Sequence, residues 1–384
     1  KLTAVFGYNQ NNRKEFEDTV VIPNLNLMLQ TVTYNFRSNT ALLNEKLNLI
    51  TGLQGLNQRN QNKADEALIP DAAINDIGGF AVLNYFPARD LNFEGGIRFD
   101  NRSISTTEMQ TPDTYFPKLN RSFANFNFSF GSSYRIKRIV WRANLATGFR
   151  APHTSELLSN GVHEGTLRYE IGNKDLKTEK ATQIDFSIHF EKEHFSFYIN
   201  PFFNRIDNYI FLSPSDSINN NLPVFYYRQI QADLSGVEAG FHWHPHPVDW
   251  LHFESNYSAV FAIDKAKKNL PLVPANKIQT TFKAEFKTKG RVKFENIFVE
   301  HIYRFSQNRI AVYETSTPDY HLLHAGLIFQ ITAKNNTFEI TAGVKNMLNT
   351  KYVDHLSRFK YIGINNAGLN AHIGLKWEFR TGEK

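Results

Sequence analysis

The 384-residue chain carries 43 Lys and Arg against 37 Asp and Glu, a formal charge of +6, with 13 His and no Cys. Without Cys there are no disulfides or thiolate metal sites, and without a run of five basic residues a nucleic-acid partner is excluded. The 33 Phe and 16 Tyr sit in a chain of mean hydropathy −0.41, and no apolar run approaches the roughly 18 residues of a spanning helix. What remains is a large soluble β protein or an outer-membrane barrel, whose strands carry only a weak alternating signal.

Period-2 patterning predicts about sixteen strands, at 1–12, 25–37, 44–58, 74–87, 90–104, 121–136, 139–150 and 178–191 in the first half. The second half adds 194–212, 224–245, 250–264, 276–287, 291–306, 319–333, 336–347 and 362–379. Most reach about ten residues, the length a tilted strand needs to cross a bilayer. Tight turns such as Ala88-Arg89-Asp90, Lys137-Arg138, Lys192-Glu193, Thr288-Lys289-Gly290 and Lys334-Asn335-Asn336 take every second junction. The junctions between them are long and polar, at 13–24, 59–73, 105–120, 151–177, 213–223, 265–275, 307–318 and 348–361. All turns therefore lie at one end of an up-and-down sheet and all loops at the other, as in a transmembrane barrel with periplasmic turns and external loops.

The strand faces agree with that architecture. Ala124, Phe126, Phe128 and Phe130 alternate with Asn125, Asn127, Ser129 and Gly131, and Leu323 to Ile331 alternate similarly. Lipid would cover the apolar face, and lumen water or a plug the polar one. Tyr85, Phe86, Trp243, Trp250 and Trp377 fit interfacial girdles. The last strand ends at Phe379 before the polar tail 380–384.

Three ordered motifs then carry a family resemblance. The strand 139–150 ends in Gly148-Phe149-Arg150-Ala151-Pro152, followed by Ser155-Glu156-Leu157. Gly172-Asn173, Leu176 and Glu179 open the next strand, and Val344, Asn346, Met347, Leu348, Asn349 and Tyr352 close the series. Together they resemble the C-terminal barrel of TonB-dependent outer-membrane receptors. Pro152 lacks the N–H a ladder needs and Gly172 tolerates positive φ, so the same residues also read as loop-shaping.

The resemblance implies an all-β, transmembrane, antiparallel up-and-down barrel in the outer membrane of a Gram-negative bacterium. About sixteen strands of a barrel of about twenty-two would be present, with residues 1–379 the C-terminal portion and the plug and first strands outside this chain. Import of a scarce ligand (siderophore, haem, cobalamin or metal chelate) would be driven through the inner-membrane TonB system. Further candidate partners are outer-membrane lipid and a surface lipoprotein. The alternatives are a passive sixteen-stranded porin and a structural or adhesion barrel.

No resident cofactor is implied, and no G-x-S-x-G, H-E-x-x-H or phosphate-binding loop suggests an enzyme. Ser155 and His163 share a loop without any sign of nucleophile–base geometry. Candidate ligand residues are Arg150, His153, Glu156, His163 and Glu164; of these His153, His163 and Glu164 could hold a metal, because imidazole with carboxylate suits zinc and its neighbours. The loop wording resembles family members that handle zinc or iron complexes. Arg150 could meet an anionic chelate or, the favoured reading, pair with a plug carboxylate. His242, His244 and His246 alternate in HWHPHP, but Pro245 and Pro247 break the ladder there, so these read as wet rim histidines.

Overall fold

A computed structural model describes residues 1–16, 21–64, 66–111, 114–163, 166–219, 221–286, 288, 290–333 and 335–379. In chain order the strands begin with β1 (Leu2–Glu15), β2 (Leu25–Leu42), β3 (Leu47–Asn62), β4 (Ala72–Ala88) and β5 (Leu91–Thr106). Next come β6 (Met109–Gln110), β7 (Tyr115–Phe116), β8 (Asn120–Ile136) and β9 (Ile139–Arg150). After the short helix α1 (Thr154–Leu158) follow β10 (Asn160–His163), β11 (Arg168–Ile171), β12 (Glu179–Lys192), β13 (Phe195–Asn219) and β14 (Leu222–Trp243). The chain closes with β15 (Leu251–Asp264), β16 (Lys277–Glu285), β17 (Val292–Arg304), β18 (Tyr320–Ala333), β19 (Asn336–Lys345) and β20 (Asn370–Phe379). Eighteen strands share one sheet, and β6 with β7 form a separate two-stranded ribbon.

The chain divides into two compact units. The first is Lys1–Tyr134, Ala143–Ile184 and Asn204–Asp233; the second is Arg135–Arg142, Asp185–Phe203 and Leu234–Lys384. In the first, β1 to β5 pair in sequence and β5 pairs β8, all antiparallel. In the second, β15 to β20 pair in sequence in the same way. Neighbours in sequence are thus neighbours in the sheet, the up-and-down order predicted from the alternating junctions.

The face pattern of β8 decides the environment. Phe126, Phe128 and Phe130 are 60%, 43% and 54% exposed, while Asn125 and Asn127 between them are buried. Each large apolar side chain left in water forfeits about 1.5–3 kcal/mol relative to burial, and β5 repeats the arrangement with Ile97 and Phe99 outward. Such a sheet is inside out for water and correct for lipid.

The structure differs from the sequence reading in four places. All sixteen expected strands are present, and β6, β7, β10 and β11 are additional short strands inside the long connections. Residues 151–177, expected to be without regular structure, contain α1, β10 and β11, because an acidic N3 residue, Glu156, accepts from the His153 N–H and starts a helical turn. The expected loop 213–223 is instead the tip of a hairpin: β13 and β14 continue to Asn219 and Leu222, with Asn221 at φ +59° in the turn. Finally, the last strand starts at Asn370 rather than 362, since a 3-10 turn at Lys360–Ile362 ends in Gly363 at φ +73°.

Candidate functional site

In the first unit, the chain after β9 folds into a tight knot built from its separated motifs. Arg150 Nη1 reaches both Glu156 oxygens at 2.8 Å, and its Nε reaches Glu179 Oε2 at 2.5 Å. Glu179 Oε1 also accepts from the Ile210 N–H at 2.5 Å, so one carboxylate ties β9, β12 and β13. Beneath the charges, Ala151, Leu157, Leu158 and Leu176 pack with Ile74, Ile104, Phe123 and Ile210 in a single buried cluster. Gly172 lies against the end of α1: an added Cβ would meet backbone atoms of Leu157 and Leu158 at 2.6–2.8 Å. The Asn173 N–H donates to the Glu156 carbonyl at 2.8 Å and the Gly172 N–H to that of Ser159 at 2.7 Å. Residues far apart in the motifs thus meet in one place, and their shared task here is to hold the loop.

Beside this knot is a cavity of about 570 Å³, lined by Arg150 and His153 together with polar residues from β2 to β5. That volume falls in the range of small-molecule sites, about 300–1,000 Å³. Its wall carries Arg98, which pairs with Asp100, and Arg102, whose Nε meets Asp76 Oδ1 at 2.7 Å. Sequence reasoning missed these four residues. The signal was present, since Arg98, Asp100 and Arg102 recur at period 2 on the face opposite Ile97 and Phe99. Every guanidinium in the wall has a carboxylate of the same chain beside it, so the net field for an incoming anion is small.

His153 differs from its neighbours. It is exposed at the cavity edge. Desolvation by surrounding protein lowers its pKa from the usual value; Glu156 opposes this, and the Arg150 and Arg102 charges reinforce it. The ring is accordingly neutral and able to ligate at neutral pH.

His163 occupies a second cluster in the same unit. Glu170, almost fully buried, accepts from Arg168 Nε at 2.7 Å and Tyr227 Oη at 2.9 Å, and lies 2.9 Å from His163 Nδ1. Burial raises the Glu170 pKa, but the partners His163, Arg168 and Tyr227 together outweigh it and hold the group below the usual carboxylate value. The hairpin β10–β11 is brought there by parallel pairing of β11 with β14, Tyr169 opposite Val224. The structure therefore joins Arg150, His153 and Glu156, and engages His163 with Glu170 instead. Glu164 lies outside the described residues.

In the second unit the late motif forms a comparable clasp. Asn346, at φ +46° and buried, donates from Nδ2 to the Thr350 carbonyl and accepts the Thr350 N–H at Oδ1, both at 2.9 Å. Tyr352 packs on Tyr320 with ring centroids 4.6 Å apart, and Tyr320 donates to Asp354 at 2.8 Å. Asn346 and Asn349 are in the motif because both occupy left-handed backbone positions, which Asn tolerates.

The family model described as TonB dependent receptor-like, beta-barrel matches residues 1–347. The chain belongs to that family. It is therefore an outer-membrane β-barrel protein of Gram-negative type. Among solved structures, it is similar to the copper transporter OprC at TM-score 0.77 and 16% identity, covering 98% of this chain and 62% of that one. The FrpB iron transporter of Neisseria meningitidis (F5-1 variant) matches at TM-score 0.73 and 13% identity, over 97% and 60% of the two chains. The siderophore receptor PirA of Acinetobacter baumannii matches at 0.69 and 14%, over 97% and 59%. These likenesses establish the fold, and the chain spans about three-fifths of the length of each of those family barrels.

Proposed function

We propose that this barrel belongs to an active importer that takes up a metal chelate, siderophore or similar scarce ligand and is driven through TonB. The observation that carries the reading is the family match over residues 1–347, joined to a cavity lined by residues of β2 to β5 and the loop end of β9. A copper transporter, an iron transporter and a siderophore receptor are among its structural neighbours, which favours a metal-containing cargo. Ligand capture, not covalent chemistry, is the task of the site.

His153 at the cavity edge and His163 in the Glu170 cluster are the proposed metal-facing groups, with Glu164 as a third candidate. His163 has Nδ1 against the Glu170 carboxylate, the arrangement that orients a metal-ligating imidazole through its other nitrogen. Arg150 and Glu156 position His153: their ion pair fixes the turn from which it projects. The test is uptake of radiolabelled zinc and iron chelates by cells expressing the receptor. Uptake abolished by a protonophore or by loss of TonB supports the proposal, and uptake insensitive to both returns the passive-pore reading. Unchanged uptake at limiting metal after His153→Ala with His163→Ala would remove those two residues from the site.

A further inference from the structure

The second unit contains a donor cluster that the loop-end site does not use. His194 occupies the tight turn between β12 and β13, and His244 and His246 follow β14 directly. Pro245 and Pro247 cannot donate to a ladder, so β14 ends there and the chain bends back. The Val248 N–H donates to the Pro245 carbonyl at 2.7 Å and the Leu251 N–H to that of Val248 at 2.9 Å. This places Asp249 facing His246 and His194, and the His244 N–H meets the His194 carbonyl at 3.1 Å to fix the two turns together.

The resulting distances are those of a coordination shell. His194 Nδ1 lies 3.4 Å from His244 Nδ1 and 3.6 Å from Asp249 Oδ1, and His246 Nδ1 lies 3.2 Å from Asp249 Oδ2. Two ligands about 2.0–2.1 Å from a tetrahedral zinc are about 3.3–3.4 Å apart. His194, His246 and Asp249 have donor atoms all within 4.8 Å of one another, and among the described residues they are the one such group of three or more. A hydrogen-bonded network would give each ring nitrogen one partner, whereas His194 Nδ1 faces two acceptor-capable atoms, His244 Nδ1 and Asp249 Oδ1. A cation satisfies the converging donors of His194, His246 and Asp249 at once.

Behind this set, His242 Nε2 is 2.9 Å from His252 Nδ1, and the His252 and Glu285 side chains approach to 3.5 Å, extending the imidazole row away from the open edge. Imidazole with one carboxylate and no thiolate selects a borderline divalent ion over magnesium or calcium. His246 and Asp249 are 68% and 50% exposed at the side chain, so an ion has direct access from water.

We infer that His194, His246 and Asp249 form a binding site for a divalent first-row ion of the zinc class, with His244 beside His194. It lies at the tight-turn end of the strands, which in outer-membrane barrels faces the periplasm. The bound ion clamps the turn after β12 to the segment between β14 and β15. This inference is independent of the import reading and of His153 and His163.

The experiment is a zinc titration of the detergent-purified, chelator-stripped protein, without a polyhistidine tag, against a chromophoric competitor. Cobalt substitution is then read by visible absorption. The parent is expected to bind one zinc saturably and to give tetrahedral cobalt bands. His194→Ala with Asp249→Asn should weaken zinc by at least about tenfold and remove the bands, and His246→Ala alone should weaken it less. His301→Gln with His321→Gln, a histidine pair elsewhere in the unit at 2.9 Å, should change nothing, and neither should His153→Ala with His163→Ala. Folding of each variant is confirmed by heat-modifiable gel migration. Equal zinc affinity in parent and His246→Ala, or no saturable zinc binding by the parent, would overturn the inference.

Discussion

The knot around Arg150 and the rim around His194 are both rich in charged and ligating side chains, yet they are built on different terms. At Arg150, two carboxylates of the same chain meet one guanidinium at 2.5–2.8 Å above a sealed apolar cluster. At His194, imidazole nitrogens and one carboxylate converge near water. Paired charges over buried leucines describe a structural joint. Converging donors at an open edge describe a place for something from outside. Density of chemistry-bearing residues alone would have ranked the two alike.

Four perturbations should separate them. Leu157→Ala should have the largest effect, because a nearly fully buried leucine in the knot leaves a cavity worth about 2–5 kcal/mol. The unfolding midpoint in urea from detergent reads the loss, and His246→Ala at the exposed rim should shift the same midpoint by less than about 0.5 kcal/mol. Arg150→Ala should come next. Removing one partner of a buried pair costs about 3–5 kcal/mol, and partial exposure of Arg150 reduces that to about 2. Adding Glu156→Gln and Glu179→Gln should recover part of the loss, as expected if stranded carboxylates are its cause. Gly172→Ala should cost about 1–3 kcal/mol by forcing α1 away from the turn, seen as faster hydrogen exchange over 151–177.

The smallest effect is a pH dependence in the second unit. His355 is buried, with Thr317 Oγ1 2.8 Å from Nδ1, Lys360 Nζ 3.2 Å away and Glu314 at 3.8 Å. Burial, then the Lys360 charge, lowers its pKa from the usual value against the pull of Glu314 and Asp354. The folded state therefore favours the neutral ring. Its stabilisation is complete above about pH 6.5 and is lost as pH falls below that through the depressed pKa. Hydrogen exchange in 305–319 and 346–369 should accelerate over that window, and His355→Gln should make it flat. An acceleration that survives the substitution would assign the effect to another group.

Much of the architecture was legible in the chain. A period of two is a local property, so the sixteen spanning strands and their junction lengths could be read from patterns such as Ala124 to Gly131. Alternation joined to the junction lengths also gave the faces, and the outward Phe126 and inward Asn125 agree with that reading. The additional strand β11 escaped because its partner β14 lies some fifty residues away in sequence, and β10, four residues long, is paired with β11. Local composition there reads only as polar loop.

The candidate site shows the same division. The sequence by itself determined the class of protein and singled out Arg150, His153, Glu156 and His163, since residue type and motif order are written in the chain. Only the tertiary structure decided their employment: Arg150 is neutralised by Glu156 and Glu179, His163 is engaged by Glu170, and His153 is left at the cavity edge. Only the tertiary structure joined His194 and Asp249 to the histidines of HWHPHP. The reason is geometric. Coordination and ion pairing act over about 2–4 Å, and residues forty or fifty positions apart reach that range only when turns and strand register bring them there.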